Sequence, residues 1–267
     1  DILKVEKAIG YKFYDLYSSY SNEATLVLAS IKPKNHKVAF LVDLLQPFYY
    51  RRWEALKQGK FGRAKIINLL SYTFQNRNIK VLESAYTKMD AIIEHSEVHF
   101  NDLKKLNLNN LFYFPHPLPI KNYRKSYPVI NRKFRILLIG SFKGVASKLG
   151  QLFFLEEILP ILEDKYCNYS EKIEFRFVGH GGMRSEIKEQ IEASSFCKFV
   201  GFVEEIEEEW FYADLVLVTV PIPHGFRTRI AEAFNYEKCV LAHTANKFGM
   251  PELIDNYNCI LSDEGLV

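Results

Sequence analysis

Val220-Pro221-Ile222-Pro223-His224-Gly225-Phe226-Arg227-Thr228-Arg229-Ile230-Ala231-Glu232-Ala233 is the stretch on which the reading of this chain turns. An apolar run ends in a loop of two prolines and a glycine, and a helical pattern starts within two or three residues. Backbone N–H groups at such a helix start have no partner within the helix, and with the helix dipole they form an anion site. In α/β folds this site lies at the carboxyl edge of the sheet. Arg227 and Arg229 add two guanidinium groups suited to phosphate oxygens. Glu232, one turn further on, is placed to accept hydrogen bonds from ribose hydroxyls. The sum is a diphosphate flanked by a sugar, the footprint of a nucleotide sugar. The alternative is a pair of surface arginines on an ordinary helix.

The segments around this stretch alternate between two periods. Apolar runs of strand length occupy Phe134–Gly140, Ile173–Gly179, Cys197–Val200, Leu215–Val220, Cys239–Ala242 and Cys259–Leu261. Helical patterns lie between them at Gln151–Leu162, Met183–Ala193 and Thr228–Phe234. Nearly continuous apolar strands joined by helices predict a parallel sheet covered on both faces. The acidic run Glu204–Glu209, followed by Trp210-Phe211-Tyr212, reads as a solvated helix face with an apolar seam.

The first half follows the same logic more loosely. Thr25–Ser30, Val38–Asp43, Ala91–Glu94 and Leu111–Phe114 read as strands, Gly62–Lys88 as a long helix, and Ser96 as the N-cap of a helix reaching about Leu106. Three prolines within Pro115–Pro119 end this region. The expected division is therefore a first domain at 1–120, a linker at 121–133 and a second domain at 134–267. The charge divides with it. Residues 1–133 carry 22 Lys and Arg against 11 Asp and Glu, whereas 134–267 carry 13 against 21, so a net charge of +3 over 267 residues conceals a basic and an acidic half. A basic half suits nucleic acid, an anionic membrane or a phosphorylated substrate.

Other chemistries fall away on spacing. Gly179-His180-Gly181-Gly182 lacks the GxGxxG order, and no acidic residue stands at the ribose position of the next strand, which argues against a nicotinamide cofactor. Gly140–Gly144 lacks the Lys-Ser/Thr of a Walker loop. His95-Ser96-Glu97-Val98-His99 has the order HxExH instead of HExxH, so no metal is expected there. The four cysteines (167, 197, 239 and 259) form no CxxC pair and read as buried free thiols. No apolar run approaches the ~20 residues of a membrane-spanning helix. The basic half carries no aromatic-basic motif for nucleic acid, and none is expected as a partner.

The chain resembles a retaining glycosyltransferase of the GT-B fold, close to family 4, the glycosyl transferases group 1. Ile136–Ser141 is similar to the family's first strand and glycine loop, and Phe154–Pro160 to the helix that follows. Phe175–Gly182 resembles the "VGxG" turn, Phe199–Val203 the segment bordering the nucleobase, and Ala213-Asp214-Leu215 a strand entry. Gly225–Ala233 resembles "GxRTKIxEA", and Val240–Leu253 the segment ending in "GxpEl". In the first half, Glu83 with Asp90-Ala91-Ile92-Ile93 and Ser96, and then Phe114–Pro117, resemble the acceptor domain. The resemblance implies an α/β fold of two Rossmann-like domains facing across a cleft, the first of them incomplete.

It also implies a reaction: transfer of a sugar from a nucleoside diphosphate sugar to a glycan, lipid-linked or other hydroxyl acceptor. Retention, no metal and no cofactor beyond the donor itself are expected, in cell-surface polysaccharide or glycoconjugate synthesis. The residues carried over are Gly140, Ser141, Lys143, Lys148, Gly179 and His180 in the first loops, and Val203 and Glu204 beside the base. Gly225, Phe226, Arg227, Thr228, Arg229 and Ile230 follow at the diphosphate, with Glu232 at the ribose. Arg229, Glu232, His224 and Asp43 are the catalytic candidates. The pattern departs from the family in three places. His224 stands where many members carry Glu, Ser141 stands at an Arg position with Lys143 and Lys148 as approximate replacements, and Arg229 replaces a Lys. His224 is therefore either catalytic or a residue that shapes the pocket. The resemblance further implies a cytoplasmic protein touching the inner face of the membrane through its basic half. A non-catalytic GT-B-like binding or regulatory partner is the competing class.

Overall fold

A computed structural model describes residues 15–20, 22–30, 36–41, 75–116, 118, 132–179, 181, 183–223 and 225–263. The chain divides into two compact units after His116. The first is built on a four-stranded sheet in the order β1-β2-β3-β4, with β1 Leu16–Tyr20, β2 His36–Leu41, β3 Ala91–Glu94 and β4 Leu111–Tyr113. All three pairings are parallel. Parallel neighbours need crossovers, which α1 (Asn22–Ser30), α2 (Gln75–Tyr86) and α3 (Glu97–Lys104) help to supply.

This corrects the reading of Thr25–Ser30 as a strand. Thr25, Leu28 and Ala29 are buried together, and their i, i+3, i+4 spacing is the stripe of a helix packed on the sheet. The strand that the pattern missed, β1, has Ser18 and Ser19 in its middle and lacks an apolar run. The expected helix Gly62–Lys88 is observed from Gln75 to Tyr86, its earlier part lying outside the described residues. Ser96 does precede α3 in extended conformation, but its hydroxyl makes no cap hydrogen bond.

The second unit contains β5 Phe134–Ile139, α4 Val145–Phe153, a π-helical turn Phe154–Ile158, α5 Leu159–Lys165, β6 Ile173–Val178, α6 Ser185–Ala193, β7 Cys197–Gly201, α7 Ile206–Tyr212, β8 Leu215–Val218, α8 Thr228–Asn235, β9 Cys239–His243 and β10 Ile260–Ser262. Its sheet order is β10-β9-β8-β5-β6-β7. Numbering these strands from β5 gives the 3-2-1-4-5-6 order of a doubly wound dinucleotide fold, whose direction reverses between β5 and β8.

Alternate residues of the central strands serve two cores. Ile136, Leu138, Phe175, Phe177 and Leu217 pack with Phe154, Leu155 and Ile191 on one face. Leu137, Val216 and Val218 pack with Trp210, Ile230 and Ala233 on the other. The helix expected at Gln151–Leu162 starts six residues earlier, at Val145, and widens into the π turn just before Pro160, which has no N–H to offer Glu156. All four thiols are free, and only Cys259 is fully buried. Cys167 and Cys239 are exposed, against the expectation of buried thiols, because Cys167 lies in a short 3-10 turn and Cys239 opens its strand.

Charge is also buried with partners. Arg176, in the middle of β6 and on the α7 side, donates to Glu209 at 2.9 and 2.7 Å and to Glu174 at 2.8 Å. At the amino edge Arg132 grips Asp214 in a two-point fork of 2.5 and 2.8 Å. The Arg135 N–H adds a third bond to Asp214 at 2.8 Å. Burial pushes the Asp214 carboxyl up, but the Arg132 hydrogen bonds, the Arg135 N–H and the nearby cations together hold it below the ordinary value. A depressed folded value gives stability that is present above the unfolded pKa and is lost as pH falls through the folded one. Asp214→Asn is therefore expected to lower the urea midpoint at pH 7. The two proteins' midpoints converge as the pH is lowered through the folded value.

Candidate functional site

Each of three neighbouring strands of the second unit runs into a glycine at the carboxyl edge. Gly140 N–H donates to Val178 O at 2.8 Å, and Gly179 N–H donates to Gly201 O at 2.7 Å. Gly140 has φ +147° and Gly179 φ +136°. A Cβ on Gly179 would lie 2.4 Å from the Gly140 carbonyl oxygen, so the two strand ends touch backbone to backbone. Only glycine permits both the angle and the approach.

Arg229 lies on this contact. A Cβ on Gly140 would meet its guanidinium at 2.7 Å and Ser147 Oγ at 2.9 Å. The Arg229 Nη2 donates to Ser147 Oγ. Gln151 Nε2 donates to Gly140 O at 3.0 Å, so α4 secures the first glycine turn from below. Burial pulls the Arg229 pKa down, and the carboxylate of Glu232, one helical turn away, pulls it back up. The result is a guanidinium held between the end of β5 and the start of α8, at the point where the strand order reverses. The helix N-terminus adds its positive end there.

Arg227 has a different position from the one expected. It is the N-cap of α8, and its buried guanidinium points into the protein. Its Nε donates to Asn246 Oδ1 at 2.7 Å and its Nη2 to Ile222 O at 2.8 Å. Ile230 is fully buried in the core, and its N–H donates to Arg227 O at 2.9 Å within the first turn. The Ile230 side chain thus anchors α8 to the sheet. Thr228 is exposed, while Gly225 (φ +29°) is buried and Phe226 packs against the core.

The remaining candidates sit around this centre. Ser141 Oγ accepts from Lys143 N–H at 3.1 Å. The Lys143 stem lies over Gly181, where a Cβ would meet its Cε at 2.8 Å, and so bridges the first and second loops. Lys148 is half-buried on α4. Val203 is half-buried and packs on the core, whereas Glu204 is exposed. His180, His224 and Asp43 lie outside the described residues. Three residues that sequence reasoning missed are Ser147, Gln151 and Asn246, all buried polar side chains. A polar residue in a polar stretch gives no sign that it is buried, so the sequence carried no signal for them.

The carboxyl edge of the first unit gathers a separate cluster. His95 stacks on Phe40, meets His116 edge-on at 5.4 Å, and places Nδ1 2.7 Å from Phe114 O. Burial, and then its neighbour His95, pull the His116 pKa down. Among the described residues no group of His, Cys, Asp and Glu could hold a metal ion.

A doubly wound sheet with a guanidinium held at its switch point is an α/β architecture of the kind that places ligands at the carboxyl ends of its strands. Residues 133–266, just over half of the chain, match the family model described as Glycosyl transferases group 1. The chain belongs to this family. A search of curated proteins gives no significant match. Among solved structures, Anabaena HepE in complex with UDP aligns with TM-score 0.67 at 19% identity, over 99% of this chain and 68% of HepE. Sucrose-phosphate synthase from Thermosynechococcus elongatus gives 0.68 at 14% identity, over 100% of this chain and 64% of that one. S. aureus TarM in complex with fondaparinux, alpha-GlcNAc-glycerol and UDP gives 0.66 at 14% identity, over 99% of this chain and 48% of that one. The fold class is GT-B.

Gly179→Ala tests the backbone contact at the centre of the site. The added methyl collides with Gly140 O and forces a positive φ on alanine, so the two turns must separate. A loss of about 2–4 kcal/mol in unfolding free energy is expected by urea titration. Gly144→Ala is the control, because its added Cβ meets only the Ser147 Oγ closer than 3.5 Å.

Proposed function

We propose that the chain is a glycosyltransferase that takes its sugar from a nucleoside diphosphate sugar bound to the second unit. The observation that carries this reading is the Arg229 guanidinium, held against Gly140 and Ser147 beside the N-terminus of α8. Departure of a nucleoside diphosphate builds negative charge on the phosphate oxygens, and a fixed cation with a helix dipole stabilises it without reorganisation. Glu232, on the same helix one turn on, supplies the acceptor for ribose hydroxyls. The HepE and TarM complexes that contain UDP support UDP as the nucleotide to try first.

In this reading the acceptor is a glycan or lipid-linked hydroxyl received on the first unit, and the anomeric configuration is retained. No metal takes part, and Arg229 with the helix N-terminus carries the phosphate charge. Peripheral contact with an anionic membrane surface, on the cytoplasmic side, is supported by one face of the first unit. There Arg77, Lys80 and Lys88 line an open groove together with Leu26, Val81 and Ala85. Among the described residues no helix is long and apolar enough to cross a membrane.

Titration calorimetry with UDP, GDP and dTDP tests the donor site, and binding of none of them removes it. Arg229→Ala is expected to weaken binding of the preferred diphosphate by about 1.5–3 kcal/mol, the worth of its charge-assisted hydrogen bonds. An unchanged affinity places the phosphates elsewhere. Binding without turnover of any nucleotide sugar identifies the non-catalytic alternative. Proton NMR of the first-formed product should show the anomeric configuration of the donor, and an inverted centre refutes retention.

A further inference from the structure

Asn246 is a fully buried side chain, 19 residues beyond Arg227, in the 3-10 turn Thr244–Phe248 that follows β9. Its Oδ1 accepts from Arg227 Nε at 2.7 Å. Its Nδ2 faces three backbone carbonyls: His243 O at 2.7 Å, and Val218 O and Val220 O at 3.3 Å each. Val218 ends β8 and His243 ends β9, so one amide ties together the carboxyl ends of two adjacent strands. Val220, Ile222 and Arg227 are the beginning, middle and end of the loop that delivers α8. Asn246 holds the first directly. Arg227, held in turn by Asn246, holds the second through its bond to Ile222 O.

We propose that Asn246 and Arg227 form a positioning clamp for the diphosphate site, and that Arg227 acts through the loop and not by touching the ligand. This inference rests on the donor reading above. The chemistry requires an amide at position 246. A carboxylate there would set oxygen against three carbonyl oxygens, and an aliphatic side chain would strand those carbonyls and Arg227 Nε in the interior. The clamp fixes where the N-terminus of α8 points, and with it where Arg229, two residues on, meets Gly140. The nucleoside depends less on the clamp: the expected base-side residues Val203 and Glu204 follow β7, on the far side of β5 and β6, and Glu232, proposed for the ribose, lies a turn inside α8, where Ile230 and Ala233 anchor the helix in the core.

The test compares UDP with uridine on the intact chain, using the wild type, Arg227→Lys, Asn246→Ser, Asn246→Ala and the Arg227→Lys/Asn246→Ala double variant. A wild type that binds none of UDP, GDP and dTDP refutes the donor reading itself. Where another diphosphate binds in place of UDP, that nucleotide and its nucleoside replace the pair. With binding established, each single variant is expected to weaken diphosphate binding roughly tenfold and to leave nucleoside binding within about twofold. The double variant is expected to be no more than about twofold worse than the weaker single one, since the two residues act as one unit. A general loss of structure instead weakens diphosphate and nucleoside together, and that result overturns the proposal. So does a double variant whose losses multiply, which marks Arg227 as an independent phosphate ligand. Unchanged diphosphate affinity in Asn246→Ser or Asn246→Ala also overturns it. Should Asn246→Ala fail to fold, Asn246→Ser and its double with Arg227→Lys make the same comparison.

Discussion

Two glycines touching across a strand boundary set the terms for the second unit. The Gly179 Cα sits so close to the Gly140 carbonyl that no side chain fits between them, and the place a Gly140 Cβ would take is already occupied by the Arg229 guanidinium and Ser147 Oγ. The bond from Gln151 to Gly140 O and the bond from Arg229 to Ser147 then tie α4 and α8, helices from either side of the topological reversal, to the same turn. Remove the contact and the cation loses the surface it rests on, leaving the Ser147 bond and the packing of α8 to hold it. A ligand that carries phosphate meets a charge whose position was fixed during folding.

The start of α8 explains why two arginines separated by one residue do different work. Arg227 is the N-cap, with non-helical backbone angles of φ −98° and ψ 85°, whereas Arg229 lies in the first turn of the helix itself. The change of backbone conformation between them sends the two side chains to different partners. Arg227 goes inward to Asn246 and Ile222 O, and Arg229 goes to the glycine turn. In the sequence they look interchangeable. The distinction comes from which side of α8 packs on the sheet, and the burial of Ile230 and Ala233 settles that.

The second unit was legible because buried parallel strands are written as nearly continuous apolar runs: Leu215–Val218 is wholly apolar, Phe134–Ile139 is broken only by Arg135, and Ile173–Val178 keeps its apolar residues around the paired Glu174 and Arg176. The glycine turns and the helix start at Thr228 were readable for a related reason, since glycine and a strand-to-helix switch leave local marks. The first unit was harder. β1 carries two serines, and Thr25 and Val27 lent strand character to what folds as α1. The start of α4 was hidden because Ser147, Lys148 and Gly150 interrupt its apolar stripe. Ser147 and Gly150 are there for contacts with Arg229, Thr219 and Val220, made across the fold. Ser147, Gln151 and Asn246 were illegible for the same reason: what makes them matter is the partner brought to them by the fold.

The fork between Arg132 and Asp214 closes the amino edge of the sheet at the place where β5 and β8 are neighbours. These two strands pair over only Ile136↔Leu215 and Leu137↔Val216, and beyond Leu137 they part. The ion pair thus marks the end at which the two strands are held together, and at the other end the space between them is lined by Ser147, Gln151 and Arg229, the side chains that secure the glycine turn.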